Sequence, residues 1–319
     1  IIRFGKINTS MSANHKSTIF DLSKESAVKI LQKLYEKKTG VVYPTKLIRL
    51  LSFFIKVVPK KIINMLKIWF IIIYMSEPLV SVIIPTYNRF DYLLNAIKSV
   101  EEQNYANKEI IIINDCSTDE RYYKYTFGDN ITKIDLDKNQ KDVLGYVSAG
   151  HVRNFGIKKA NGKYIATLDD DDVWLPQKLD KQIKIMESSK NKMSATDGLI
   201  GSGVYNKNST YEIYNKEHFY KRISKKYKKS FFSSYRSFKF PNEFDFSFLK
   251  IHNSIITSSV IVERKLLELI GGFRPFATKN DYAPDYDCWL GLLRLTNCDY
   301  IDEPLFYYDS LHGSGRVWK

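Results

Sequence analysis

The stretch that decides the fold is residues 79–115, LVSVIIPTYNRFDYLLNAIKSVEEQNYANKEIIIIND. Residues 79–84 form an apolar run rich in β-branched side chains that ends at Pro85, which predicts a buried strand. Beyond a short turn, leucine, isoleucine and valine recur at helical spacing, with Asp91 placed to cap the helix. Residues 109–113 then predict a second buried strand. This strand–helix–strand order predicts a right-handed βαβ unit.

The same alternation continues along the chain. A weaker strand is predicted at 131–136, a helix near 148–160 and a strand at 164–168. Further on, residues 253–261 predict another strand, and residues 264–270 predict a helix that ends at a pair of glycines. Alternating strands and helices predict an α/β fold with a Rossmann-like, mostly parallel sheet and flanking helices.

Three polar clusters follow three of these strands, at residues 85–89, 114–119 and 169–172. Any one of them could simply cap the next helix. In open α/β sheets, however, ligands bind outside the carboxyl ends of the strands. Three polar loops on that edge therefore predict a binding site.

The third cluster consists of four consecutive aspartates, residues 169–172. Neighbouring carboxylates raise one another's pKa unless a cation neutralises them. Their hard oxygen atoms favour Mg²⁺ or Mn²⁺. The alternative is a solvated acidic turn before the next helix.

The first polar loop, PTYNRF, contains no glycine. A dinucleotide-binding Rossmann enzyme or a P-loop NTPase would have a glycine-rich loop there to cradle phosphates. The missing glycines therefore argue against both classes. A bound nucleotide diphosphate would instead need a metal ion to offset its charge.

The charge is unevenly distributed. The chain has 49 basic and 35 acidic residues, a net charge of +14. Residues 1–77 carry +10 and residues 215–239 carry +8, which leaves −4 on the rest. A nucleic-acid enzyme would carry its positive field across the cleft, so a nucleic-acid partner is not expected. The three cysteines form neither a disulfide framework nor a zinc pattern, which predicts a reducing, cytoplasmic location.

Residues 1–77 are predicted to form a basic, largely helical N-terminal extension. Its segment 47–75 is apolar, but lysines and arginines interrupt it and Pro59 would break a helix. A membrane span needs about 20 apolar residues, so two amphipathic segments on an anionic membrane surface fit better. A helix packed on the catalytic body is an equal alternative. Since Met75 stands just before the first strand, residues 1–74 could also be an extension that the core does not need.

Four ordered motifs resemble the family-2 inverting glycosyltransferases with the GT-A fold. They are VSVIIPTYNR (80–89), IIINDCSTD (111–119), HVRNFGIKKANGKYIATLDDDD (151–172) and PDYDCWLGLLR (284–294). The resemblance covers roughly residues 78–312. It implies transfer of a hexose or N-acetylhexosamine from a nucleotide-diphosphate donor, UDP-sugar favoured, to a hydroxyl of a glycan, lipid or protein acceptor in polysaccharide biosynthesis. The implied cofactor is Mn²⁺ or Mg²⁺, bound at an Asp-x-Asp motif.

The resemblance also implies roles for individual residues, with residues 78–195 as the nucleotide-sugar half. Asp115 would accept a hydrogen bond from uracil, and Arg153 would lie near the base or diphosphate. Asp171 would bind the metal, with His312 close to it. The other donor-side residues would be Pro85, Thr86, Tyr87, Arg89, Asp169 and Asp170.

Three positions depart from the family pattern. The family usually has Asp-Asp-Gly-Ser where this chain has Asn114, Asp115, Cys116 and Ser117. A glutamate usually precedes the catalytic base, where this chain has Pro284.

Residues 196–319 are the expected acceptor-binding half. By resemblance Asp285 is the general base and Asp287 its neighbour; the alternative is that both only favour a helix amino terminus. Trp289 is expected in the core or as an acceptor platform. The basic insert 215–239 could bind an anionic polymer, a lipid-phosphate acceptor or a membrane, or be a loop with a solvated face.

Two other functions compete with sugar transfer. A nucleotidyltransferase also places acidic pairs on a Rossmann-like sheet, although it usually has a glycine- and lysine-rich loop after the first strand. An inactive nucleotide- or glycan-binding module is the other.

Overall fold

The computed structural model describes residues 77–230, 238–275 and 283–311. The predictions for residues 1–76, including the amphipathic segment 47–75, and for His312 lie outside the described residues and stay predictions. So does the structure of residues 231–237 within the basic insert.

Ten strands form one mixed sheet in the described part of the chain. They are β1 (Val80–Thr86), β2 (Lys108–Asn114), β3 (Ile131–Asp135), β4 (Tyr164–Thr167), β5 (Val173–Trp174), β6 (Met193–Gly201), β7 (Glu212–Ile213), β8 (Glu243–Phe244), β9 (Ile261–Glu263) and β10 (Cys298–Asp309).

Helices cover the sheet. They are α1 (Phe90–Glu101), α2 (Arg121–Lys124), α3 (Gln140–Leu144), α4 (Ala149–Lys159), α5 (Lys178–Ser188), α6 (Tyr220–Ser230), α7 (Phe246–Ile251), α8 (Arg264–Ile270) and α9 (Pro284–Leu292). A π-helical turn, Tyr214–His218, precedes α6, and a 3₁₀ turn, Thr257–Ser259, precedes β9.

The strand order is β3-β2-β1-β4-β9-β6-β10-β5, with β7 paired to β6 and β8 paired to β10. Strands β1, β2, β3 and β4 pair in parallel, as do β6 and β10. Strand β9 runs antiparallel to both β4 and β6, so these two share one direction. One sheet thus runs through both halves of the chain, and the mostly parallel architecture predicted above is confirmed.

The central strands read as continuous apolar runs because both faces of the sheet are covered. In β1, Val80, Val82 and Ile84 pack into the cluster beneath α1, whereas Ile83 packs on the opposite side with α4 and α9. In β2, Ile110 and Ile112 contribute to the first cluster and Ile111 to the second. Burial on both faces accounts for the absence of polar alternation.

Two local predictions are wrong. Residues 253–261 are not a strand, because the 3₁₀ turn interrupts them and pairing begins only at Ile261. One hydroxyl there bonds within the turn, since Ser259 Oγ donates to the Ile256 carbonyl at 2.6 Å. Nor does Asp91 cap α1: the cap position is Arg89, and the Asp91 carboxylate instead accepts from Arg121 Nη1 at 2.8 Å.

The helix predicted at residues 264–270 is confirmed, and Gly271 ends it with φ of 77°, a left-handed conformation that glycine adopts without strain. None of the described helices combines the length and apolar character that crossing a membrane requires.

Candidate active site

The three predicted polar loops lie together at one edge of the sheet. In the β1–β2 pair, Thr86 is in register with Asn114, and in the β1–β4 pair Ile83 is in register with Thr167. All three strands therefore end at the same edge, and the loops that follow them are neighbours. A direct contact confirms this, since the Asp115 amide donates to the Thr86 carbonyl at 2.9 Å.

The aspartate run forms a compact acidic cluster. Asp169, Asp171 and Asp172 each offer one carboxylate oxygen, and these oxygens lie within 4.8 Å of one another. Asp171 is 6% exposed and Asp172 is 1% exposed, so the alternative of a solvated acidic turn is wrong. Burial, then the charge of the neighbouring aspartates, raises the pKa of both carboxyls well above its usual range. Buried carboxylate oxygens at this spacing are a donor set that suits a divalent cation.

Arg89 lies against this cluster. Its Nη1 donates to Asp171 Oδ2 at 2.6 Å and to Asp170 Oδ1 at 3.1 Å. Burial raises the pKa of Asp170 to about 6, and the Arg89 charge opposes that rise. One guanidinium therefore neutralises part of the charge of two adjacent aspartates.

Arg153 forms an ion pair with Asp169, the most exposed of the three cluster carboxylates. The Arg153 side chain is almost fully buried, with its guanidinium carbon 5.5 Å from the centre of the Phe273 ring. The sequence motif that contains Arg153 is thus brought to the acidic cluster.

Ser258, in the 3₁₀ turn, holds the acidic cluster to the rest of the sheet. Its Oγ donates to Asp172 Oδ2 at 2.5 Å and accepts from the Asp169 amide at 3.0 Å. The other Asp172 oxygen accepts from the Asp309 amide, at the end of β10, at 2.9 Å. Sequence analysis missed Ser258 because nothing in a run of serines and threonines marks which hydroxyl meets an aspartate 86 residues earlier.

Pro85, Thr86 and Asp115 line one small cleft together with Asn139, Ser148 and Val152. Tyr87, the next residue along, is half-buried. Asp115 Oδ1 accepts from the Gln140 amide at 2.8 Å, and burial raises the pKa of the Asp115 carboxyl to about 6. The proposed base-reading residue thus has the proposed pocket lining around it.

The departures from the family pattern have structural explanations. The Asn114 Nδ2 donates to Asp135 Oδ1 at 2.8 Å while its Oδ1 accepts from the Ser117 amide at 3.0 Å. An ionised aspartate could accept but not donate, so the amide suits this position. Cys116 has φ of 58°, the left-handed region that favours glycine. Pro284 occupies the first turn of α9, where a proline ring is well tolerated.

Tyr122 supports the first loop from α2 and was not predicted. Its hydroxyl bonds Thr86 Oγ1 at 2.7 Å and accepts from the Arg89 amide at 2.9 Å. The side chain is fully buried. Tyr122 therefore fixes the loop that carries Arg89 to the acidic cluster.

Asp285 opens α9 beside the same cluster. Its Oδ2 accepts from Thr257 Oγ1 at 3.2 Å, and its Oδ1 accepts from the Tyr286 amide at 2.7 Å. Burial raises the pKa of Asp285, the positive charge of Arg153 lowers it, and the negative charge of Asp169 raises it. Arg153 is thus close enough to act on both carboxylates.

Asp287 and Trp289 turn away from this group. Asp287 Oδ2 accepts from Arg274 Nε at 2.9 Å, and Trp289 is fully buried in the core beside Phe273. Of the two roles weighed for Trp289, the core role is the one observed.

Two tyrosines flank the acidic cluster and were also missed. The rings of Tyr214 and Tyr308 are in edge contact, with centroids 5.6 Å apart. Tyr308 precedes Asp309, whose amide bonds Asp172. Burial, followed by the charge of Asp285, raises the pKa of the Tyr214 hydroxyl to about 12.

Comparison with known proteins bears on this arrangement. The family model described as "Glycosyl transferase family 2" matches residues 81–244. An Escherichia coli protein named UDP-Glc:alpha-D-GlcNAc-diphosphoundecaprenol beta-1,3-glucosyltransferase WfgD is 30% identical over 72% of this chain and 75% of that protein.

A second relative is an uncharacterised glycosyltransferase of Rickettsia prowazekii (strain Madrid E). It is 30% identical over 75% of this chain, and the match spans 65% of that relative's own length. Among solved structures, the mannosyltransferase PcManGT from Pyrobaculum calidifontis, in complex with GDP-Man and Mn²⁺, has a TM-score of 0.50 at 17% identity. That match covers 76% of this chain and 60% of the other, and it supports the GT-A-like fold expected from the sequence. The motifs, the fold and these matches agree, and the chain belongs to glycosyltransferase family 2.

Proposed function

We propose that this protein transfers a sugar from a nucleotide-diphosphate donor, with a UDP-sugar favoured, to a hydroxyl group of its acceptor, with inversion at the anomeric carbon. The observation that carries the proposal is the convergence of Asp169, Arg153 and Asp285. A cluster suited to a divalent cation and a buried carboxylate suited to a base thereby share one edge of the sheet.

On the donor side, the uracil ring would donate a hydrogen bond to Asp115 in the cleft lined by Pro85 and Thr86. The relative WfgD, whose name includes UDP-Glc, supports a uridine nucleotide. Tyr87 would extend the pocket. Asp170 would be held by Arg89 at the ribose or sugar side.

Asp169 and Asp171 would hold Mg²⁺ or Mn²⁺. Both oxygens of Asp172 already accept protein hydrogen bonds, which would fix its carboxylate in place beside the other two, and each oxygen keeps a lone pair for the cation. The bound cation would stabilise the negative charge that develops on the leaving diphosphate. Arg153, paired with Asp169, adds a fixed positive charge beside that group.

Asp285 would accept the proton of the attacking hydroxyl. A carboxylate whose pKa is raised by burial is a stronger base, and the Thr257 hydroxyl orients its Oδ2. Attack in one displacement, from the face opposite the leaving group, would give inversion. The pair formed by Tyr214 and Tyr308 would then lie on the acceptor side, where aromatic rings suit the apolar faces of sugars.

For the whole protein we propose a glycan or lipid-linked acceptor in polysaccharide biosynthesis. The relative WfgD, whose name includes a diphosphoundecaprenol-linked sugar, supports this class. We also propose a cytoplasmic location, which the three free thiols support, with the segment 47–75 as the contact to the membrane face. His312 remains a proposed neighbour of the metal.

The test is a donor panel with the full chain and Mn²⁺. UDP-glucose, UDP-galactose, their N-acetyl forms and a dTDP-sugar are each incubated with lipid-linked and free glycan acceptors, and released nucleotide diphosphate is measured. We expect the wild type to transfer sugar from one of these donors. The Asp285→Asn variant should still bind that donor but should no longer transfer the sugar. Release of pyrophosphate from UTP and a sugar phosphate would instead identify a nucleotidyltransferase. Donor binding without turnover for any acceptor would favour an inactive binding module.

A further inference from the structure

Helix α6 presents a strongly basic face that the proposed chemistry does not use. Its sequence is YKRISKKYKKS, and it contains no acidic residue. Ile223 and Tyr227 are buried, so the helix has one fixed inner side. The Tyr227 ring stacks on Phe238 and Phe248, with centroids 4.9 Å and 4.4 Å apart, and its hydroxyl donates to the Phe248 carbonyl at 2.7 Å. The helix is therefore a firmly seated element, and the alternative of a loop with a solvated face is wrong for residues 220–230.

The outer side of α6 carries six exposed basic side chains within about 16 Å of helix. They are Lys221, Arg222, Lys225, Lys226, Lys228 and Lys229. No carboxylate in the described part of the chain forms an ion pair with any of them. The polar contact found for this group is between Lys226 Nζ and His252 Nδ1, at 3.4 Å.

The positive charge of these six side chains affects a neighbouring histidine and the helix itself. The pKa of His252 is lowered to about 4, first by burial and then by the charges of Lys226 and Arg222. Lysines one turn apart, such as Lys221 with Lys225, also repel each other and weaken the helix. An external anionic partner would offset the positive charge that acts in both cases.

The partner that fits is an anionic bilayer. The basic residues lie along one outer face of a helix whose other face is fixed to the protein, so a flat surface can contact several of them at once. A nucleic acid would need a longer positive track, but the chain outside residues 1–77 and 215–239 carries a net charge of −4. Because the apolar face is buried, contact with lipid would be electrostatic rather than by insertion.

We propose that the exposed basic face of α6 docks on an anionic phospholipid bilayer. The helix continues directly from the π-helical turn whose first residue, Tyr214, lies near Asp285. Docking through α6 would therefore hold the acceptor side of the cleft close to the headgroups.

The test measures sedimentation of the full chain with vesicles of phosphatidylcholine containing roughly one third phosphatidylglycerol, at about 0.1 M salt. A triple variant replaces three α6 lysines by glutamine, and a matched variant replaces three exposed lysines elsewhere, so that both lose the same charge. The α6 variant is Lys225→Gln, Lys228→Gln and Lys229→Gln. The control is Lys138→Gln, Lys159→Gln and Lys265→Gln.

Each lysine close to an anionic leaflet strengthens binding by about fivefold, so loss of three should weaken vesicle binding of the α6 variant by about a hundredfold. The control variant should change vesicle binding by less than about twofold. With vesicles of phosphatidylcholine alone, the wild type and the α6 variant should sediment equally little. Unchanged far-ultraviolet circular dichroism would show that the helix is still folded.

Equal losses in the two triple variants would mean that only net charge matters, and the docking face would be rejected. No loss in the α6 variant would reject it too, because binding would then come from elsewhere, including residues 1–76. If the same α6 lysines mattered for an RNA duplex and not for vesicles, the partner would be a nucleic acid and the proposal would be wrong. None of these results depends on sugar transfer.

Discussion

Arg89 Nη1 lies 2.6 Å from Asp171 Oδ2, so a guanidinium from the loop after β1 contacts the carboxylate proposed to bind the metal. Their side chains are 15% and 4% exposed, respectively. Because the contact is largely shielded from water, Arg89 serves as a counter-charge to the Asp171 carboxylate.

Replacing Arg89 by glutamine should therefore make the stability of the folded protein depend more strongly on added metal. Without the cation, unfolding free energy should fall by about 3 kcal/mol, since a buried carboxylate loses its partner. The stabilisation on adding Mn²⁺ should be larger than in the wild type. Thermal unfolding with and without Mn²⁺ measures both effects.

The control for that experiment is Arg121→Gln, since Arg121 pairs with two aspartates on the exposed surface. Removing the Arg121 charge should change the free energy of unfolding little, with or without Mn²⁺. An Arg89→Gln protein with unaltered Mn²⁺ stabilisation would show that Arg89 and the cation do not share Asp171.

Nucleotide binding should weaken in acid through Asp115. Burial raises the pKa of its carboxyl from 3.8 to about 6, so the group ionises only as the pH rises through that range. If the ionised form accepts the uracil hydrogen bond, UDP affinity should fall about tenfold one unit below this pKa. Calorimetric titration with UDP from pH 7.5 to 5, in both wild type and Asp115→Asn, measures the effect.

The asparagine variant isolates Asp115 from other groups that titrate in the same range, including Asp170. Its UDP affinity should be lower at neutral pH, and the acid-dependent loss should be smaller than in the wild type. Parallel pH profiles for the two proteins would contradict a role for Asp115 in reading the base.

Ser258→Ala should weaken metal-dependent donor binding. The variant removes the 2.5 Å hydrogen bond to Asp172 and the acceptor of the Asp169 amide, so the cluster loses its tie to the 3₁₀ turn. Loss of such a positioning contact should cost about tenfold or more in affinity for Mn²⁺, measured by electron paramagnetic resonance.

The neighbouring Ser259 provides the matched control. It is also fully buried, but its hydroxyl donates to the Ile256 carbonyl and not to the cluster. Ser259→Ala should lower stability by about 1 kcal/mol and leave Mn²⁺ affinity unchanged. Equal effects of the two substitutions on Mn²⁺ affinity would mean that Ser258 acts only through general stability.

Cys116→Gly should stabilise the fold. Cys116 has φ of 58°, which costs about 1–2 kcal/mol for a residue with a Cβ, while glycine gives part of that back through the entropy of its unfolded state. The expected gain is up to about 1 kcal/mol in denaturant unfolding. Cys116→Ala keeps the Cβ and should bring no such gain. A stabilised alanine variant would point to the thiol instead of the backbone.

The apolar runs of the sequence determined the main architecture. The runs at residues 79–84 and 109–113 could only be strands buried on both faces, and alternation with helical patterns required parallel pairing. That pairing brought the polar loops to one edge. The clusters at residues 114–119 and 169–172 followed from that pairing, whereas the roles expected of Asp115, Asp171 and Asp285 came from the resemblance to family 2.

The tertiary structure decided which side chains meet there. Ser258 contacts Asp172 and Tyr122 contacts Thr86 only because the sheet brings distant segments together. The prediction of a strand at residues 253–261 was wrong for the same reason. Its serine and threonine side chains suit a strand by local preference, but their hydroxyls find partners in the folded protein that the sequence does not reveal. Local patterns fix strands and helices; hydrogen bonds between residues 30 to 90 positions apart exist only after the chain has folded.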